Sequence, residues 1–122
     1  MTELNKGVAY IVIGVTDLAR SVAFYRDTLG LPLQFQQAGL AFLAAGPVTL
    51  MLSAEMGRTR TPVAGAMEIV FPVDAVKPAW RALAADGVTF FREPHQVTDK
   101  EWSAVMQDPD GHFLTLFGPP GE

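Results

Sequence analysis

One pattern runs through this chain twice, and that duplication restricts the fold more than composition does. Val8-Ala9-Tyr10-Ile11-Val12-Ile13-Gly14-Val15 is β-branched and almost wholly apolar, which predicts a strand buried on both faces. Thr16-Asp17 then offers capping oxygens, and Leu18, Val22, Tyr25 and Leu29 recur at i, i+4, i+7 and i+11, the stripe of an amphipathic helix that Gly30 stops. Leu31 to Gln36, Leu40 to Ala45 and Val48 to Ser53 follow as strand candidates, divided by Gln37-Ala38-Gly39 and Gly46-Pro47. The pattern restarts with a strand at Met67 to Val73 and a helix capped by Asp74, striped by Val76, Trp80 and Leu83 and closed by Gly87. Val88 to Arg92, Trp102 to Gln107 and His112 to Phe117 complete it as strands, with Asp108-Pro109-Asp110-Gly111 turning the last hairpin. Val15 and Gly30 bracket the first helix 15 apart and Val73 and Gly87 the second 14 apart, so the halves align with one residue lost. A one-sided sheet cannot be buried by one half alone. The expected fold is therefore α+β: two tandem βαβββ modules forming a curved mixed sheet around a cleft. One domain, 1–122, would hold module one at 7–53, a polar Gly- and Pro-bearing linker at 54–64, and module two at 65–118.

Composition narrows the functional classes. With 122 residues, 49% hydrophobic and 18% charged, the chain has the make-up of a single globular domain. The absence of cysteine removes disulfides, thiolate-bound zinc and a cysteine nucleophile. Nine basic against thirteen acidic side chains give a net charge of −4 without a basic cluster, so nucleic acid is not an expected partner. The longest apolar run, Val8 to Val15, is far short of the roughly 18 residues a membrane span requires. The first residues lack the basic and apolar regions of a secretory signal, so a cytoplasmic location is expected.

Two segments carry a resemblance. Val15-Thr16-Asp17-Leu18-Ala19-Arg20-Ser21-Val22-Ala23-Phe24-Tyr25-Arg26-Asp27-Thr28-Leu29-Gly30-Leu31 comes early, and Gln107-Asp108-Pro109-Asp110-Gly111-His112-Phe113-Leu114-Thr115-Leu116-Phe117 comes late. In this order, spacing and duplication, the chain resembles the vicinal oxygen chelate superfamily. That superfamily includes glyoxalase I, extradiol dioxygenases, fosfomycin resistance enzymes and bleomycin resistance proteins. The resemblance implies a homodimer, in some members with exchanged half-modules, and a cleft that in the enzymes holds a divalent metal on four strand positions. Carried over by counting, those positions are Tyr10, Met51, Glu68 and Thr115, where the enzymes place His or Gln, Glu, His or Gln, and Glu. A divalent cation wants three or four nitrogen or oxygen donors, preferably imidazole or carboxylate. This set supplies one, so neither a metal nor another cofactor is expected, and the nearest likeness in character is to the metal-free bleomycin-resistance-like members.

Strand alternation then assigns faces. Tyr10 in the cleft brings Val12 with it, leaving Ile11, Ile13 and Val15 against a helix. The same parity turns Thr49 and Met51, Glu68 and Val70, and Phe113, Thr115 and Phe117 toward the cleft, with Trp102 at its rim. This lining suits a small, flat, largely aromatic or hydrophobic molecule with one or two polar handles. Glu68 is either an anchor for a ligand amine, a general base, or a relic of a metal site bonded to Tyr10 or water. Tyr10 either donates to a ligand carbonyl or fills space. Trp80 reads as core, Phe24 and Tyr25 as structural, and His95 as part of a Pro94-His95 loop. The leading expectation is metal-independent binding of a small molecule, resembling drug-sequestering resistance proteins. The alternative is a glyoxalase-like lyase, isomerase or dioxygenase with an atypical or absent metal site, in which Glu68 and Tyr10 would be catalytic.

Overall fold

The computed structural model describes residues 8–59 and 67–122. Residues 60–64 of the expected linker, the starts of both expected modules and the N-terminal residues weighed as a leader lie outside these. The chain divides into two compact units, Met1–Pro62 and Val63–Glu122.

The first unit carries a four-stranded mixed sheet in the order β1-β4-β3-β2, formed by β1 (Tyr10–Gly14), β2 (Leu33–Gln37), β3 (Leu40–Ala45) and β4 (Val48–Ser53). β1 runs parallel to β4, and the other pairs are antiparallel. Ile13, Val15, Leu43, Leu50 and Leu52 are buried, and the helical residues Val22 and Tyr25 are buried with them. β1 is an edge strand buried on one face: Tyr10 is 54% exposed and Val12 40%, so the expectation of a strand buried on both faces is corrected.

The expected helix is two helices end to end. Asp17 Oδ1 accepts the Arg20 N–H at 3.1 Å to cap α1 (Leu18–Val22), and six residues of π-helix, Ala23–Thr28, continue it. The Leu29 N–H bonds to the Phe24 carbonyl five residues back, and Gly30 ends the turn at φ 78°, a conformation only glycine adopts without strain.

Residues 54–59, expected as linker, form α2 (Ala54–Thr59). Ser53 Oγ accepts the Met56 N–H at 3.2 Å and supplies the cap. Gly57 then allows the helix to lie against the end of β1, because a Cβ there would come within 2.0 Å of the Val15 carbonyl oxygen. The glycine of the expected linker is a contact point.

The second unit repeats the topology as β5-β8-β7-β6, with β5 (Glu68–Pro72), β6 (Thr89–Gln96), β7 (Trp102–Gln107) and β8 (Phe113–Gly118), β5 being parallel to β8. Its buried hydrophobic side chains include Val76, Ala104, Met106, Leu114 and Leu116. α3 (Val76–Ala85) is not capped by Asp74 as expected. Ala75 is its N-cap, and the Val76 and Lys77 N–H groups donate instead to the Pro119 and Pro120 carbonyls at 2.8 and 2.9 Å. A chain segment 40 residues downstream thus satisfies the helix end, which local pattern could not show.

β6 runs four residues past its expected end through Pro94, and His95 lies in the strand opposite Ser103 rather than in a loop. Proline is tolerated because β6 is an edge strand, and register shifts at Phe90/Arg92 and Arg92/His95 absorb the irregularity. The Asp108 turn forms as expected. Its Oδ1 accepts the Asp110 N–H at 3.0 Å and the His112 N–H at 2.8 Å from a buried position. Asp108→Ala leaves both donors without that acceptor and is expected to cost about 1–3 kcal/mol, read as a lowered urea midpoint at unchanged slope.

Candidate functional site

The first and last strands of each unit lie side by side, and this fixes where the four counted positions fall. In the first unit Tyr10 sits opposite Thr49 and Val12 opposite Met51; in the second Glu68 sits opposite Phe113 and Val70 opposite Thr115. Tyr10 and Met51 are therefore diagonal neighbours on one sheet face, and Glu68 and Thr115 hold the equivalent diagonal in the second unit.

On the first unit's open face, Phe42 lies opposite Met51, its ring 6.2 Å from Tyr10 edge-on and 5.7 Å from Phe35. Thr49 Oγ1 reaches Gln34 Oε1 at 3.5 Å. The Tyr10, Phe42 and Phe35 rings thus form a partly exposed aromatic row with polar groups beside it. Phe42 and Phe35 were missed in the sequence, although carrying the alternation one strand further would have found Phe42.

On the second unit's open face, Thr115 Oγ1 donates to Glu68 Oε2 at 2.8 Å. Thr115 is 4% exposed while Glu68 is exposed, so the threonine is a buried prop under a carboxylate that reaches solvent. Within the second unit, the hydrogen-bond partner of Glu68 is Thr115. Val70 and Phe117 share this face through their pairing with Thr115 and Ser103. Phe91 joins them by alternation, since Thr89 lies opposite Gln107 on the open side and Phe90 opposite Met106 on the helical side. At the Phe90/Arg92 register shift an extra residue enters β6, and the ring of Phe91 lies 4.7 Å from that of Phe113.

Trp102 does not join this face. It shares strand parity with buried Ala104 and Met106, and Lys77 Nζ of α3 stands 4.6 Å from its ring centroid, so it belongs to the helical side of the sheet. A depression of about 580 Å³ lined by Thr98–Glu101 and Pro119 lies at the β6–β7 turn, away from Glu68 in the sheet.

A model of the Glyoxalase/Bleomycin resistance protein/Dioxygenase superfamily matches residues 7–116. The chain belongs to this superfamily. It is 30% identical over 111 residues to a protein named glutathione transferase FosA from Serratia marcescens, covering 88% of this chain and 77% of that one. The fold matches a glyoxalase/bleomycin resistance protein/dioxygenase from Nocardioides, with a TM-score of 0.79, 22% identity and coverage of 99% and 91%. It also matches TnmS3, an antibiotic binding protein from Streptomyces sp. CB03234, with a TM-score of 0.78, 22% identity and coverage of 97% and 99%.

The superfamily's enzymes imply a divalent metal at the four counted positions, and the residues here do not fit one. Met51 brings a thioether, Tyr10 a phenol, and Thr115 a hydroxyl whose proton is directed at Glu68. One carboxylate remains, and one of its two oxygens already accepts the Thr115 hydroxyl. Among the described residues no three His, Asp or Glu side chains gather as a metal site.

The aromatic residues of the open faces are not what holds the fold together. Phe91 is 63% exposed and Leu116 is 3% exposed on the helical side. Phe91→Ala is expected to change stability by less than about 0.5 kcal/mol, whereas Leu116→Ala costs about 2–5 kcal/mol, both read from urea unfolding.

Proposed function

We propose that this protein binds a small, largely aromatic or hydrophobic molecule on its open sheet faces, without a metal and without transforming it. The observation that carries this reading is the Thr115–Glu68 hydrogen bond. It joins two of the positions from which a chelating enzyme would hold its cation and leaves a single carboxylate amid rings and aliphatic side chains. Without a Lewis acid held there, polarisation of vicinal oxygens has no source in these residues. Tyr10, Val12, Thr49 and Met51 contribute from the first unit, and Glu68, Val70, Phe113, Thr115 and Phe117 from the second. The name of TnmS3 supports antibiotic binding as a use of this fold.

Titration of the chelator-stripped protein with Zn, Ni, Mn and Fe(II) tests the metal-independent part. The expected result is no stoichiometric binding. A stoichiometric micromolar site lost in Glu68→Ala would overturn it.

A second reading, an enzyme using Glu68 as base, is favoured by the likeness to a protein named as a glutathione transferase. Glu68 is open to an incoming substrate, and its Thr115 bond would hold it in place. Turnover of a substrate, with a pH profile that changes in Glu68→Gln, would decide for it; binding without turnover decides for sequestration.

We also propose a homodimer, supported by the exposed apolar side chains Val8 of one unit and Met67 and Val97 of the other. Light scattering is expected to give twice the 13.2 kDa chain mass, and a species of the chain mass alone would refute it.

A further inference from the structure

We propose that the open face of the second sheet is a receptor for a flat organic cation, with Glu68 Oε1 receiving the charged nitrogen and the Phe91–Phe113 pair the aromatic body. The proposal rests on the small-molecule reading above and names the ligand class of that site.

Three observations agree in sign. Glu68 is exposed, and among the described residues no Lys, Arg or His forms an ion pair with it. Its one hydrogen bond comes from a neutral hydroxyl on Oε2, which holds the carboxylate in place and leaves its charge intact. An ionised carboxylate only accepts, so its complement is a donor, best a cationic one. Next to it stands Phe113, its register partner, in ring contact with Phe91 at 4.7 Å. Aromatic faces are electron-rich and attract cations, so the rings and the carboxylate both select against anions.

Arg92 is the cation to weigh against this. It sits opposite Val105, which sits opposite Thr115, so it lies three strand spacings from β5. Arg92 is exposed and forms no ion pair with Glu68. Arg92 does not neutralise Glu68. The depth of the site is also set: Thr115 is buried beneath the carboxylate, so a ligand lies across the face and stacks on Phe91, which is the more exposed ring.

The test uses two probes of one shape: 9-aminoacridine, a cation at neutral pH, and acridine, neutral at the same pH. Both are titrated by fluorescence into the full chain and into Glu68→Gln and Phe91→Leu. The cation is expected to bind about tenfold more tightly than acridine to the native chain, an advantage lost in Glu68→Gln and reduced by added salt. Phe91→Leu keeps apolar bulk without the ring quadrupole and is expected to weaken the cation a few-fold, roughly the worth of an exposed cation–π contact. Circular dichroism of both variants checks that the fold is retained. Equal affinity for the two probes, or a preference that survives Glu68→Gln, overturns the cation receptor and leaves the small-molecule reading standing. Failure of both probes to bind overturns the two together.

Discussion

Everything at the candidate site depends on the parallel pairing of each unit's first strand with its last. The Val15 N–H donates to the Ser53 carbonyl and the Val73 N–H to the Phe117 carbonyl, both at 3.0 Å, at corresponding places in the two units. These bonds join the ends of a stretch some 40 residues long and close a helix and two strands between them. A parallel pair requires such a crossover, and it brings side chains from opposite ends of a module onto one face. Were β1 or β5 to slip by one residue, Tyr10 or Glu68 would turn to the helical side and Ile11 or Ile69 would take its place.

The division of labour between the two faces of each sheet follows from that register. On the helical side the side chains are aliphatic and closed to solvent: Leu43, Leu50 and Leu52 in one unit, Met106, Leu114 and Leu116 in the other. On the open side the exposed rings of Tyr10, Phe35 and Phe91 contribute little to holding the fold, and buried Thr115 is satisfied by the carboxylate it supports. Open-face substitutions can therefore leave the buried helical side of each sheet untouched.

Much of this was legible in the sequence because it rests on short-range pattern. The bounds of β3, β4 and β7 follow directly from alternation and turn residues, and Asp17 and Gly30 mark the first helix correctly. Glu68 and Thr115 were both picked out through the family resemblance, but the hydrogen bond between them was not expected. What was not legible depends on partners distant in sequence or on irregular backbone. α3 takes its cap from Pro119 and Pro120, α2 lies close on β1 because Gly57 can touch Val15, and Arg92 sits opposite Val105 because β6 carries an extra residue. Trp102 was misplaced for a simpler reason: its position after a charged loop suggested a rim, whereas its parity with Ala104 and Met106 already pointed to the helical side.

The irregularity of β6 has an evolutionary reading. Residues gained or lost in an interior strand would disturb ladders on both sides, but β6 is paired on one side alone and already carries two register shifts. Its length can drift by single residues, each step rotating a different side chain onto the open face while β5, β7 and β8 stay as they are. Point substitution alters what a position carries; drift along this strand alters which position is presented, so new recognition surfaces can be sampled at little cost to the rest of the domain.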